Sequence, residues 1–177
     1  MNVCRYLALL MTLLFVLSSC TSVPQGIEPV NNFELPRYLG KWYEIARYDH
    51  SFESGLEQVT AEYSMQQDGG VKVVNRGFNP QNQQWKEAVG QAYFVQNSDV
   101  GHLKVSFFGP FYASYVIFEL DQQAYQYALI TGPDRDYLWI LARSAQLDDK
   151  LKERLLTIIK QAGFDPAPLI WVKQQAL

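Results

Sequence analysis

The chain has 177 residues, nearly half of them apolar, and a formal charge of −3. That length suffices to bury one core, and a mildly acidic chain with scattered Lys and Arg carries no footprint for nucleic acid. Its two cysteines, Cys4 and Cys20, both fall in the first twenty residues, so the rest of the chain holds no thiol for a disulfide, a metal site or a nucleophile.

Met1 to Ser19 reads as a processing segment. Arg5 supplies a positive start, and Tyr6 to Leu17 is an apolar run of twelve residues, too short for a membrane span of roughly twenty. In Leu17-Ser18-Ser19-Cys20, small residues precede a cysteine as in a bacterial lipobox, which makes Cys20 the expected lipidated N-terminus. The alternative is an ordinary secretory leader cut nearby, with Cys20 incidental. Loss of Arg5 with the leader takes the charge to −4. Residues 20–32 contain Pro24, Gly26 and Pro29 without periodicity and read as the lipidated start and a tether. Residues 33–177 read as one domain, opening with a short lead-in turn over Phe33 to Leu39 that caps one end.

Gly40 to Arg47 reads as the first strand. Gln58 to Met65 alternates, with Val59, Ala61, Tyr63 and Met65 on one face. Asp68-Gly69-Gly70 is a hairpin turn, followed by Val71 to Phe78 and a turn at Asn79-Pro80-Gln81-Asn82. Trp85 to Val95 is a long strand whose inward face stays open, since Ala88, Gly90 and Ala92 suit either side. His102 to Phe107 puts Leu103, Val105 and Phe107 on one side. Gly109-Pro110 turns the chain, and Tyr112 to Leu120, Tyr125 to Thr131 and Tyr137 to Arg143 complete eight strands. Short strands and dense turns specify an antiparallel barrel or sandwich. Leu147 to Gly163 then changes period: Leu151, Leu155, Ile158, Ile159 and Ala162 share a helical face, with Asp148 as N-cap and Gly163 as the stop. Leu169 to Val172 reads as a short closing strand.

Gly40-Lys41-Trp42, with Arg143 closing a strand about a hundred residues later, resembles the lipocalin family. Trp42-Tyr43-Glu44-Ile45-Ala46-Arg47, Lys104 to Tyr112 and Gly132 to Leu141 carry the likeness, which covers the whole domain and is nearest the bacterial outer-membrane branch, itself close to apolipoprotein D. The resemblance implies an all-β fold: an eight-stranded antiparallel up-and-down barrel, a calyx, with the C-terminal α-helix packed outside. It implies that Gly40, Trp42, Asp121 and Arg143 are structural, with Trp42 plugging the closed end and Arg143 lying across it. One departure stands out. The family's Thr-Asp-Tyr motif is here Leu120-Asp121-Gln122, so only Asp121 matches. Thr21 after the cysteine implies the outer membrane, lipid-anchored, at the periplasmic face.

The expected function is binding, storage or transport of a fatty acid or lysophospholipid in the cavity for membrane maintenance, with no cofactor and no catalytic residue. Each buried methylene contributes roughly 0.8 kcal/mol. The candidate lining is Val59, Ala61, Tyr63, Val73, Leu103, Val105 and Phe107, with Asp134 and Arg135 at the mouth for a polar headgroup. Partners are that lipid and the bilayer through acylated Cys20; homodimerisation is left open. His50 and His102 lack a second histidine or a cysteine at ligand spacing and read as surface residues. Two rivals remain. An enzyme needs a carboxylate among Glu44, Glu62 and Glu87 facing the lumen beside a Tyr, and a structural lipoprotein needs a fully packed core. A transmembrane barrel is set aside: eight strands can enclose Val59, Tyr63, Leu103 and Phe107, a lipid-facing Lys104 would cost about 2–4 kcal/mol, and the C-terminal helix needs a polar exterior with one apolar patch to pack on.

Overall fold

The computed structural model describes residues 21–174; the leader, Cys20 and residues 175–177 lie outside the described residues. The elements are α1 (Leu35–Tyr38), β1 (Gly40–Arg47), β2 (Glu57–Met65), β3 (Val71–Asn79), β4 (Gln84–Phe94), β5 (His102–Phe108), β6 (Phe111–Leu120), β7 (Tyr127–Thr131), β8 (Leu138–Ala142), α2 (Asp149–Gln161) and β9 (Ile170–Trp171). All eight expected strands are present, displaced at their ends by about one or two residues.

Neighbouring strands pair antiparallel in chain order, and β8 returns to β1. One strand serves both neighbours because its halves pair differently. Gly40 to Tyr43 lie against β2, and Tyr43 to Arg47 against β8. Such a stagger is what closure of tilted strands requires, so the sheet is a barrel and not a sandwich. β9 adds to β1 at Ala46 and Arg47.

Alternation sorts the side chains. The pairs Trp42 with Ala61, Tyr63 with Val73, Ala92 with Val105, Leu103 with Tyr115 and Ile130 with Trp139 lie side by side on the inner face. This settles β4, whose Gly90 and Ala92 turn inward opposite Val73 and Val71. On the outer face, Val116, Leu129, Leu138 and Ile140 join Leu155 and Ile159 of α2 in a second apolar cluster. Burial of two such helix side chains stabilises by roughly 1.5–3 kcal/mol each. The helix starts where Asp148 accepts the Leu151 amide at 2.9 Å and stops at Gly163, whose φ of +83° suits a residue without Cβ.

Up-and-down connection divides the loops between two ends. Residues 66–70, 95–101 and 121–126 join α1 at the floor; residues 48–56, 80–83, 109–110 and 132–137 form the mouth. At the floor Trp42 is fully buried and donates from Nε1 to the Tyr38 carbonyl at 2.7 Å. The Arg143 guanidinium lies 4.0 Å from the indole centroid. It also donates to the carbonyls of Arg37, Tyr38, Leu39, Lys41 and Tyr125 at 2.7–3.3 Å. Gly40 suits this position because its φ is +88°, a conformation that side-chain-bearing residues rarely adopt. Asp121 accepts from the Ala124 and Gln126 amides at 3.3 Å and holds the floor turn before β7.

Residues 21–32 do not form the tether that their composition implies. They run down the outer wall as a strap. Ser22 Oγ donates to Pro133 O at 3.0 Å and Gln25 O accepts from Arg135 at 2.8 Å, both at the mouth. Ile27 is buried against α2. Val30 exchanges backbone bonds with Ile117 and Gly101 before Phe33 reaches the floor at Asp99.

Candidate functional site

The lower lumen is apolar, and the expected lining residues Val59, Ala61, Tyr63, Val73, Leu103, Val105 and Phe107 share its inner face, the first five of them buried. Met65, assigned by alternation to the same face, ends its strand exposed at the floor. Beside Trp42 three phenols meet. Tyr115 Oη lies 2.7 Å from Tyr38 Oη and 2.8 Å from Tyr63 Oη. Burial raises all three above an ordinary tyrosine, Tyr63 to about 12, so they stay neutral and their hydroxyls satisfy one another. Tyr63 was legible from alternation; Tyr38 and Tyr115 were not.

Nearer the mouth the lumen turns polar. The register of β1 against β8 shifts between Glu44 and Ala46. This bulge gives the strand one extra residue, so Glu44 and Arg47 share the inner face. Arg47, 1% exposed, donates to Glu44 Oε1 at 2.7 Å and to the carbonyls of Glu53 and Leu56 at 2.8 and 3.3 Å. It thereby holds the loop between β1 and β2 over the opening. Glu53 dips in from that loop and accepts from Trp139 Nε1 at 2.9 Å. Burial, then the charge of Glu53, pushes the Glu44 carboxyl up to about 8 against the pull of Arg47; Glu53 is also raised by burial. The two acids therefore retain a proton at neutral pH, and the cluster is close to uncharged. Arg47 Nε lies 3.9 Å from Glu53 Oε1, beyond a hydrogen bond. Arg47 Nε, His50 Nε2 and Asn75 Oδ1 are buried with no hydrogen-bond partner among the described residues.

Two placements differ from those expected, Arg135 and His102. Arg135, assigned to a headgroup at the rim, turns to the outer wall. It donates to Ala162 O at 2.6 Å as well as to Gln25 O, and lies 5.0 Å from the Phe164 ring. Asp134 is exposed, and its carboxylate accepts from the Asp136 amide within its own turn at 2.9 Å. His102 is buried, not a surface residue: its Nε2 lies 2.8 Å from Ser114 Oγ, and the Thr21 backbone covers the ring. His50 stacks on Tyr137 at 4.4 Å beside Trp139. Of the three acids named as an enzyme's requirement, Glu44 alone is buried; Glu62 and Glu87 are exposed.

A closed antiparallel barrel plugged by a tryptophan that an arginine covers, with one helix packed outside, has close counterparts. Residues 33–174 match the model of a lipocalin-like domain. The chain belongs to the lipocalin family. It is 52% identical over 160 residues to the outer membrane lipoprotein Blc of Vibrio cholerae, covering 90% of this chain and 94% of that one. It is 50% identical over 165 residues to the protein of the same name from Escherichia coli K12, with 92% and 93% covered. Among solved structures, insecticyanin from the tobacco hornworm superposes with a TM-score of 0.70 at 20% identity, covering 87% of each chain; that likeness concerns the fold alone. This lipocalin is thus a lipid-anchored outer-membrane lipoprotein whose barrel takes a small lipophilic ligand.

A separate hollow of about 330 Å³ lies outside the barrel, where Gly26, Ile27 and Glu28 of the strap meet Phe118 and the end of α2. The inward residues do not line it.

Proposed function

We propose that the lumen holds one acyl chain of a fatty acid or lysophospholipid. The tail points to the tyrosine floor and the polar head lies beside Arg47. One observation carries this: the lumen is apolar below and ends in a cluster where Arg47 Nε, 99% buried with its residue, points a donor at no protein acceptor. A buried unsatisfied donor costs about 1–3 kcal/mol, and a carboxylate or phosphate oxygen would relieve it. His50, on the loop that Arg47 holds, offers a further buried polar atom near the mouth. Each methylene below contributes roughly 0.8 kcal/mol, so a chain of about sixteen carbons offsets the losses of association. Fatty-acid displacement from the purified domain tests it, together with extraction of co-purified lipid. Absence of both would leave a structural lipoprotein.

A second reading has Glu44 in its favour, since a carboxyl held protonated within range of Tyr63 resembles a general acid. Its engagement with Arg47 and Glu53 favours binding instead. Conversion of a bound lipid by the native protein, lost in Glu44→Gln, would reverse that choice.

A further inference from the structure

We propose that the barrel docks mouth-down on the bilayer that carries its anchor, through aromatic side chains on the mouth loops. Among the described residues, four of the eight exposed large apolar side chains gather at the mouth loops, apart from Val89 in mid-β4, Met65 at the floor, and Ile170 and Trp171 on β9. Phe108 (80% exposed) and Phe111 (76%) flank the tip between β5 and β6, Phe52 (61%) tops the loop between β1 and β2, and Trp85 (47%) begins β4. Three of the four mouth loops therefore present an aromatic ring to solvent. Met65 is the exposed large apolar residue at the floor end of its strand.

A bilayer is the occupant that the rest of the molecule selects. The strap carries Ser22, two positions after the residue expected to be lipidated, onto Pro133 of the fourth mouth loop. An anchor there draws the mouth, not the floor, to the lipid. The chemistry of the patch agrees. Arg76 lies 4.2 Å from the Trp85 ring centroid, and Lys86 is exposed at the same end of β4 on its other face. A tryptophan beside a basic side chain suits the headgroup layer, where rings lie at the interface and cations meet phosphate. Rings on separate loops would give several shallow footholds at the headgroup and acyl boundary. The lumen then opens onto the interface, and an acyl chain passes between bilayer and barrel without crossing bulk water. The docking rests on acylation of Cys20, but not on which lipid fills the lumen.

The acylated full-length protein, reconstituted in phosphatidylethanolamine–phosphatidylglycerol vesicles, provides the test. Acylated Cys20 leaves the mature chain without another thiol, so a nitroxide can be placed at Phe108→Cys, at Phe111→Cys as a second site on the same tip, or at Met65→Cys as the floor control. Flotation with the vesicles reports the anchor separately. Docking predicts that both tip labels gain oxygen accessibility and lose nickel-chelate accessibility, while the floor label stays as in water. Water-like tip labels on floating protein overturn the proposal while leaving the anchor intact. So does a floor label in lipid, or spin–spin broadening at the tip without lipid exposure, which would assign the patch to a second copy. Failure to float would sink the anchor instead.

Discussion

The floor and the mouth are built from the same strands but solve opposite problems. At the floor, one guanidinium satisfies five carbonyls and covers an indole, and the phenols beside it satisfy one another. At the mouth, polar atoms are buried without partners, two acids share a proton, and large rings face solvent. The groups that close the floor are paired with one another. An end that must meet something else keeps groups in reserve, and their unsatisfied state marks where to look for function.

That contrast can be broken most severely at the floor. Trp42→Ala should lose about 3–5 kcal/mol in urea unfolding, and Arg143→Ala about 3 kcal/mol from the stranded carbonyls. A double-mutant cycle should return roughly 0.5–2 kcal/mol of coupling. Neither change should alter the preference among ligands; a shift would mean that the floor also selects.

At the mouth, Arg47→Leu should weaken a fatty acid by about 10- to 100-fold, the worth of a charged hydrogen bond, and a fatty alcohol of equal length far less. Equal losses in the two titrations would remove Arg47 from headgroup recognition.

The shared proton makes a smaller, pH-dependent prediction. Glu44 is raised in the folded state, so the native protein binds more protons than the unfolded chain between the ordinary glutamate range and about pH 8. Stability should therefore fall as pH rises through that window, by at most about 1.4 kcal/mol per unit. His50 and His102, both lowered by burial, act in the opposite sense, but only below their ordinary value of 6.5. The Glu44 effect is cleanest from about pH 7 to 8, and Glu44→Gln should flatten the curve there.

The smallest effect is expected at Arg135. Its replacement by Ala should loosen the strap and the end of α2 by about 1 kcal/mol, speed proteolysis between residues 21 and 32, and affect acid and alcohol ligands equally. A selective loss of the acid would restore Arg135 to the rim as a headgroup contact.

The barrel was legible because strands announce themselves by a period of two and turns by Gly, Pro and Asn. The sorting of Val59, Ala61, Tyr63, Leu103, Val105 and Phe107 onto one face needed only that rule. Arg47 escaped it. Counting by twos from Trp42 puts Glu44 inward but Arg47 outward, and one residue of bulge, invisible in composition, reverses the second assignment. The strap escaped for another reason. Its bonds go to Ile117, Pro133 and Arg135, about ninety to a hundred and ten positions away, and leave no local pattern. Pro24, Gly26 and Pro29 therefore look the same as in a loose linker. His102 follows from the strap, because a residue on the polar face becomes buried only once another segment covers it.

The strap also gives the molecule a mechanical design. Tension applied through a lipid anchor at Cys20 meets the contact of the Thr21 backbone with His102 of β5, then Ser22, and then the Gln25–Arg135–Ala162 junction. Arg135 joins three segments there, so it is the clamp that holds the strap to both the mouth loop and the end of α2. Beyond it the bonds of residues 27–33 are arrayed in series along the wall and yield one after another, by peeling and not by shear. Each residue released adds up to about 3.3–3.6 Å of leash. Under light load the barrel stays at a fixed height above its anchor. Under heavier load it pays out a line of roughly 40 Å while the closed sheet remains unstrained.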